Sequence, residues 1–346
     1  MSSKYSTATG RTEPFSRNSR LEHLLKELNA ELWLAEHAIL EPMQNVQPFP
    51  IILLMGPIRS GTTLFMQWLA NTGMVSYPTN LLSRFYQAPV IGAKIQLLLT
   101  DPRYNFRNEL GEFIQQAEYR SENGKTQGVL APNEFWYFWR RFLTDASRDV
   151  WSDGQLRQSL DVATMKAELN GIMNVFEKPF AAKGMLFNYN IPFLDRLFEQ
   201  VLFVQIKRDP VANVASVLEA RNRQLGSEAA WYSFKIPEYE QLKDLDPIEQ
   251  ASGQIHYINK AVDKGMEAVD DRRKIIVQYE AFCADPESFY YQLMEKLGLS
   301  GTQYQYIGPK NFTVSRTDVK NAKPIATALH GYRQRSQSER SPSIPL

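Results

Sequence analysis

The most constraining stretch of this chain is a short apolar run that ends in a glycine-framed turn. Ile51-Ile52-Leu53-Leu54-Met55 shows no alternation of polar and apolar residues, so a strand here must be covered on both faces. Gly56-Pro57-Ile58-Arg59-Ser60-Gly61-Thr62-Thr63 follows at once, and then the helical stretch LFMQWLANT. Strand, turn and helix in that order open a βαβ unit. A strand buried on both sides places the chain among α/β folds, with helices above and below a parallel sheet.

The turn has the spacing G-x-x-x-x-G-x-[ST] of a phosphate-binding loop, with Thr62 where the lysine of that loop normally stands. The frame still gathers backbone N–H groups and a helix N-terminus around an anion. A nucleotide triphosphatase uses the lysine against the β- and γ-phosphates beside magnesium. Without it, Arg59 is the nearby cation, and the expected ligand is a smaller anionic tail handled without metal. The plain alternative is an ordinary strand–helix turn rich in small residues.

Further strand signals are Gly184–Asn188, Val201–Ile206 and Lys274–Tyr279. Lys207-Arg208-Asp209-Pro210 closes the second of these, and Pro210 suits the first position of a helix reaching about Arg221. Ligands of open α/β sheets bind beyond the carboxyl ends of the strands, where Arg208 stands, and Ser216 lies about two turns into the helix. A solvated basic strand end is the alternative for this segment taken alone. Asp285-Pro286-Glu287 caps a helix that Gly298 ends. The fold class expected is α/β, a phosphate-loop-like three-layer αβα arrangement with a central, mostly parallel sheet and helical insertions.

Three divisions of the chain are expected. Residues 1–46 hold a polar, frayed segment to about residue 18 and an amphipathic helix on Leu21, Leu24, Leu25, Leu28, Leu32 and Ala35. Residues 47–333 form one domain, with an acceptor-side helical insertion at about 84–180. Residues 334–346 read as a disordered tail. Length and composition agree: 346 residues with 43% hydrophobic content make a globular domain of this size. A net charge of +1 from 39 basic and 38 acidic residues argues against a bulk nucleic-acid binder. Cys283 is the only cysteine, which excludes a disulfide-stapled fold and points to a reducing, cytoplasmic setting. One cysteine and four histidines leave little for structural zinc. The first fifteen residues lack the apolar core of a signal peptide, and no run approaches the ~20 residues that cross a bilayer.

RSGTT after a buried strand, with a later strand ending RDP and a serine downstream, resembles the sulfotransferases that use 3′-phosphoadenosine 5′-phosphosulfate. The resemblance spans roughly 50–330. It implies that Arg59, Ser60, Gly61, Thr62 and Thr63 hold the 5′-phosphosulfate and that Arg208 and Ser216 hold the 3′-phosphate. Val277-Gln278-Tyr279-Glu280 with Asp285-Pro286 and LGL is similar to the family's late segment, whose tyrosine lies near the adenine. Lys323-Pro324 is similar to a C-terminal site where some relatives place a lysine on the nucleotide. The donor implied is the phosphosulfate, the product adenosine 3′,5′-bisphosphate, and the partner a hydroxyl- or amine-bearing glycan, lipid or small molecule.

The chain also departs from that pattern. Tyr77–Arg84 carries no His or Glu where several relatives place a base, and Gly184–Asn190 carries Asn188 and Asn190 where many place a lysine. His23, His37, His256 and His330 follow no strand end. Glu134, opening the aromatic run Phe135–Trp139, is the preferred base; a helix N-terminal glutamate is the alternative. Arg59 and Arg84 are the candidates for steadying the sulfonate or acceptor, with a surface arginine as the alternative for Arg84. Phe135–Trp139 and Trp231–Phe234 line an acceptor cleft or pack the core. An aberrant phosphate-loop kinase or NTPase, and a non-catalytic nucleotide-binding protein, stay open.

Overall fold

The computed structural model describes residues 10–40, 46–111, 121–122, 125–143, 149–299, 305–314 and 321–338. Its centre is a parallel sheet of four strands: β1 (Ile51–Met55), β2 (Phe180–Lys183), β3 (Val201–Lys207) and β4 (Lys274–Gln278). Their spatial order is β2-β1-β3-β4, so β1 lies inside, with Ile51 level with Phe180 on one side and Val201 on the other.

Side chains of a strand alternate between faces, and β1 has apolar residues for both. Ile51, Leu53 and Met55 join Phe203 and the helices Pro210–Leu225, Pro247–Glu267 and Ala322–Ser338 in one core. Ile52 and Leu54 join Val204 and Ile206 against Phe65, Trp68 and Leu69 of the helix Thr62–Asn71, and against Phe282 and Leu293. Each buried Ile or Leu contributes about 1.5–3 kcal/mol, so both helical layers are driven onto the sheet. The three-layer arrangement is the expected fold class.

The insertion after the first helix is mainly helical, with Pro89–Thr100, Trp136–Arg141, Asp153–Ser159 and Val162–Phe176, plus a short antiparallel ribbon pairing Ser121–Glu122 with Lys125–Thr126. The N-terminal helix Ser19–Leu40 is fastened to it. Buried Glu36 accepts hydrogen bonds from the N–H groups of Val90 and Ile91, at 2.7 and 3.0 Å, where the Pro89–Thr100 helix begins. Such a carboxylate supplies the acceptors that a helix N-terminus lacks. Burial raises its pKa, and the two backbone N–H groups oppose that rise.

Three expectations are corrected. The strand placed at Gly184–Asn188 lies earlier, at Phe180–Lys183, and Met185–Phe187 forms a 3-10 turn. Phe-Ala-Ala-Lys has little β propensity of its own, but its small residues fit between β1 and the Ser76 bridge on its other side. The segment expected to be frayed is ordered from Gly10 on: Thr12 bonds Gln224, and Phe15 is buried. Residues 1–9 lie outside the described residues. The last helix runs to Ser338, past residue 333, because Ile325, Leu329 and Tyr332 bury one of its faces; residues 339–346 lie outside the described residues.

Candidate active site

The anion loop is built by removing its carbonyls from play. Gly56 has φ +140°, and a Cβ there would stand 2.6 Å from the carbonyl oxygen of Ile206. The backbone of β3 therefore comes closer than any other residue at position 56 would permit. Asn188 pairs with both polar groups of Gly56, accepting from its N–H at 3.0 Å and donating to its carbonyl at 2.9 Å. Asn213 Nδ2 donates to the Ile58 carbonyl at 2.8 Å, and the Arg208 guanidinium to the Arg59 carbonyl at 3.0 Å. With these acceptors taken, the first turn of the Thr62–Asn71 helix starts from Gly61 with no side chain capping it.

The two sequence motifs meet at this loop. Arg59, held at φ 62°, donates from Nε to Ser216 Oγ at 3.2 Å. The Tyr279 ring lies where a Cβ on Gly61 would be, 2.2 Å from that position, and the Arg208 guanidinium stacks 4.9 Å from the ring centre. Burial pushes the Arg59 pKa down; Tyr232 opposes the shift and Arg208 adds to it. Ser60 is fully buried, and its Oγ has no hydrogen-bond partner among the described residues. A buried hydroxyl without a partner inside a cradle of cations and N–H groups fits a bound oxyanion.

Glu134 stands on the same side. Phe135 takes the left-handed conformation, φ 57°, just before the helix Trp136–Arg141. That turn lets Phe135, Phe138 and Trp139 pack inward while the preceding glutamate points to the loop. The aromatic run is thus divided: three rings fill the core, Tyr137 is exposed, and the Trp136 indole N–H bonds Glu134 Oε2.

Its partner is the residue that sequence reasoning missed. Lys183, the last residue of β2, has its ammonium 3.3 Å from Glu134 Oε1 and donates to Thr63 Oγ1 at 2.8 Å. The strand-end lysine that Gly184–Asn190 lacks stands one residue upstream of that segment. Misplacing the strand hid it; the signal was Lys183 itself, ending a strand beside the phosphate-loop strand. Burial pushes the Lys183 pKa down, while Glu134 holds it up and Arg59 adds to the fall.

Other candidates lie apart. Arg84 is exposed on the 3-10 turn Leu82–Phe85, which Asn29 ties down through the Arg84 carbonyl at 2.7 Å. Lys323 is exposed in the first turn of the last helix. His256 bonds Ser336 Oγ at 2.8 Å, His330 bonds Gln334, and His37 stacks on Trp33. Asp209 spends its carboxylate on capping its helix, accepting from the Ala212 N–H at 2.8 Å.

A lysine-free anion loop, strand-end cations and a carboxylate facing them define a group-transfer site for an anionic donor. The chain matches the Sulfotransferase family over residues 50–303 and belongs to it. Among solved structures it is similar to sulfotransferase STF9 from Mycobacterium avium, with 15% identity, 98% of this chain and 81% of that one covered, and a TM-score of 0.52. It is also similar to sulfotransferase STF1 from Mycobacterium tuberculosis H37Rv, with 15% identity, coverage of 81% and 74%, and a TM-score of 0.46. A search of the curated proteins finds no match. The protein is a sulfotransferase with the phosphate-loop-like fold, and its reaction moves a sulfonate from a donor to an acceptor. Among the described residues, no helix is long and apolar enough to cross a membrane.

The Gly61–Tyr279 contact generates a test of the loop. Gly61→Ala should lower stability by about 1–3 kcal/mol, from overpacking and the strained φ. Adding Tyr279→Ala should return the steric share, so the double variant melts less far below Tyr279→Ala alone than Gly61→Ala melts below wild type. Equal losses in both backgrounds would mean that the ring does not confine the loop.

Proposed function

We propose that the donor is 3′-phosphoadenosine 5′-phosphosulfate and that the protein transfers its sulfonate to a hydroxyl or amine of a glycan, lipid or other small molecule. The observation that carries this reading is the interlock of Arg59, Ser216, Arg208 and Tyr279 around a loop without the phosphate-loop lysine. The donor supplies an activated sulfonate on a good leaving group. Ser60, Gly61, Thr62, Thr63 and Arg59 bind its phosphosulfate end, and Arg208 and Ser216 its 3′-phosphate. Tyr279 borders the adenine side. The single buried cysteine suits a reducing, cytoplasmic setting.

In the transfer, the acceptor oxygen or nitrogen forms a bond to sulfur as the sulfur–oxygen bond to the phosphate breaks, and adenosine 3′,5′-bisphosphate leaves. Glu134 takes the acceptor's proton. Lys183, buried, and Arg59, half-buried, meet the negative charge that grows on the departing oxygen, and their removal from water makes each count for more than it would in bulk solvent. Capping by Asp209 weighs against a magnesium-dependent kinase, because the acid after β3 is already committed to its helix.

Three measurements test this reading. Adenosine 3′,5′-bisphosphate should bind without magnesium and far more tightly than adenosine 5′-monophosphate, and Arg208→Ala should weaken it by about 1.5–3 kcal/mol. Equal affinities for the two nucleotides would leave the 3′-phosphate without a site.

Glu134→Gln should cut single-turnover transfer by about 10²–10⁴-fold with little change in nucleotide affinity. A loss under about threefold removes Glu134 from the mechanism.

The third is a pH profile. Lys183 acts while protonated, and its pKa lies below the ordinary 10.5. The kcat/KM for the donor, which reports the free enzyme, should therefore fall on the alkaline side at a pH below 10.5, and Lys183→Arg, whose charge persists, should move that limb upward. An alkaline limb unchanged in a folded Lys183→Arg enzyme rules out Lys183 as its source.

A further inference from the structure

A carboxylate base beside a lysine is easily spent on it. Opposite charges at this range draw together, and a long, rotatable glutamate can turn both oxygens onto one ammonium. Glu134 does not close on Lys183 in this way. Its Oε1 stands 3.3 Å from the Lys183 ammonium, longer than the ~2.7–2.9 Å of a tight charge-assisted hydrogen bond. Its Oε2 is turned elsewhere and accepts the Trp136 indole N–H.

That second bond is unusual for residues two apart, which face away from each other on a helix. The left-handed Phe135 between them brings the two side chains together. Both ends of the contact are fixed. On the glutamate side, Asn133 Oδ1 accepts the Phe135 N–H at 2.9 Å, and the Asn133 N–H donates to the Pro78 carbonyl at 2.7 Å. On the indole side, Trp136 is half-buried against the core, and the Arg140 guanidinium lies 5.0 Å from the centre of its ring. Arg140 in turn pairs with Asp149 Oδ1 at 2.5 Å, and Asp149 Oδ2 accepts the Lys235 N–H at 2.7 Å. A carboxylate oxygen has two lone pairs, so with one bond to each oxygen Glu134 keeps capacity for the acceptor's proton.

We infer that Trp136 is a positioning residue for the transfer: its indole N–H holds one oxygen of Glu134 away from Lys183, so that base and cation act as two groups and not as one closed ion pair. This rests on the reading of Glu134 as the base and deepens it.

The test uses the full chain and two measurements. The first is the nitrogen–proton NMR correlation of the Trp136 indole, identified by its absence from Trp136→Phe. In protein loaded with adenosine 3′,5′-bisphosphate, Glu134→Gln should move this signal more than any other indole signal. A signal that stays in place overturns the inference. The second is single-turnover release of sulfate from 3′-phosphoadenosine 5′-phosphosulfate, with water as the acceptor. Trp136→Phe keeps a ring beside Arg140 and lacks the N–H; it should slow release by about tenfold or more with no change in affinity for adenosine 3′,5′-bisphosphate. Benzothienylalanine at position 136, which keeps the shape of the indole with sulfur in place of the N–H, should show the same loss. In a Glu134→Ala background, Trp136→Phe should cost less than about twofold. A loss of equal size in both backgrounds, or a benzothienylalanine protein as fast as wild type, overturns the inference and leaves the proposed base standing. If Glu134→Ala is itself without effect, the base reading fails and the inference with it. Should wild type release no sulfate above the rate in buffer, the indole signal alone decides.

Discussion

The close approach of β3 to Gly56 is the constraint on which the rest of the site depends. A carbonyl 2.6 Å from the place of a missing Cβ leaves no room for another residue, and the Asn188 amide then takes both backbone polar groups of that glycine. From this one contact the chain turns off the sheet at a defined angle. Arg59 comes under Ser216, Thr63 comes over Lys183, and the helix after Gly61 aims its free N–H groups at the same point. The flanking asparagines work as braces: each buried amide bonds a loop carbonyl that otherwise would face an incoming anion with the wrong charge.

Electrostatically the site is held under load. Lys183 and Arg59 are both taken out of water, which disfavours their charged forms, and they disfavour each other. Glu134 relieves part of this for Lys183, and the Ser216 hydroxyl accepts from Arg59. A dianionic ligand relieves far more. The arrangement is one in which substrate charge completes a polar network that the protein alone leaves short, with the Ser60 hydroxyl as its visible gap.

Much of this architecture is legible in the sequence alone. The run Ile51–Met55 demands two covered faces, the glycine frame announces an anion loop, and Lys207-Arg208-Asp209-Pro210 announces a strand passing directly into a helix. Each is a local pattern with a local cause. What escapes such reading depends on tertiary contacts. Phe-Ala-Ala-Lys is a strand only because β1 and Ser76 hold it on two sides, so Lys183 is invisible as a strand-end lysine. The Gly10–Phe15 segment owes its order to carbonyls at the end of a helix some two hundred residues later, as the span from Thr12 to Gln224 records. The reading of Glu134 comes from its neighbours, yet its aim depends on a left-handed phenylalanine that no composition rule anticipates.

The Tyr279 ring wedged against Gly61 has a dynamic corollary. Tyr279 follows β4, one of the two edge strands and the more exposed of them, with Ile276 and Gln278 facing out. Inner strands open only with the whole domain, whereas an edge strand frays on its own. The anion loop is thus held by inner strand β3 at Gly56 and confined at Gly61 by a ring that follows an edge strand. The turn at Gly61 is therefore coupled to the edge of the sheet through the Tyr279 ring, and a disturbance at the end of β4 reaches the anion loop without passing through the loop's own backbone.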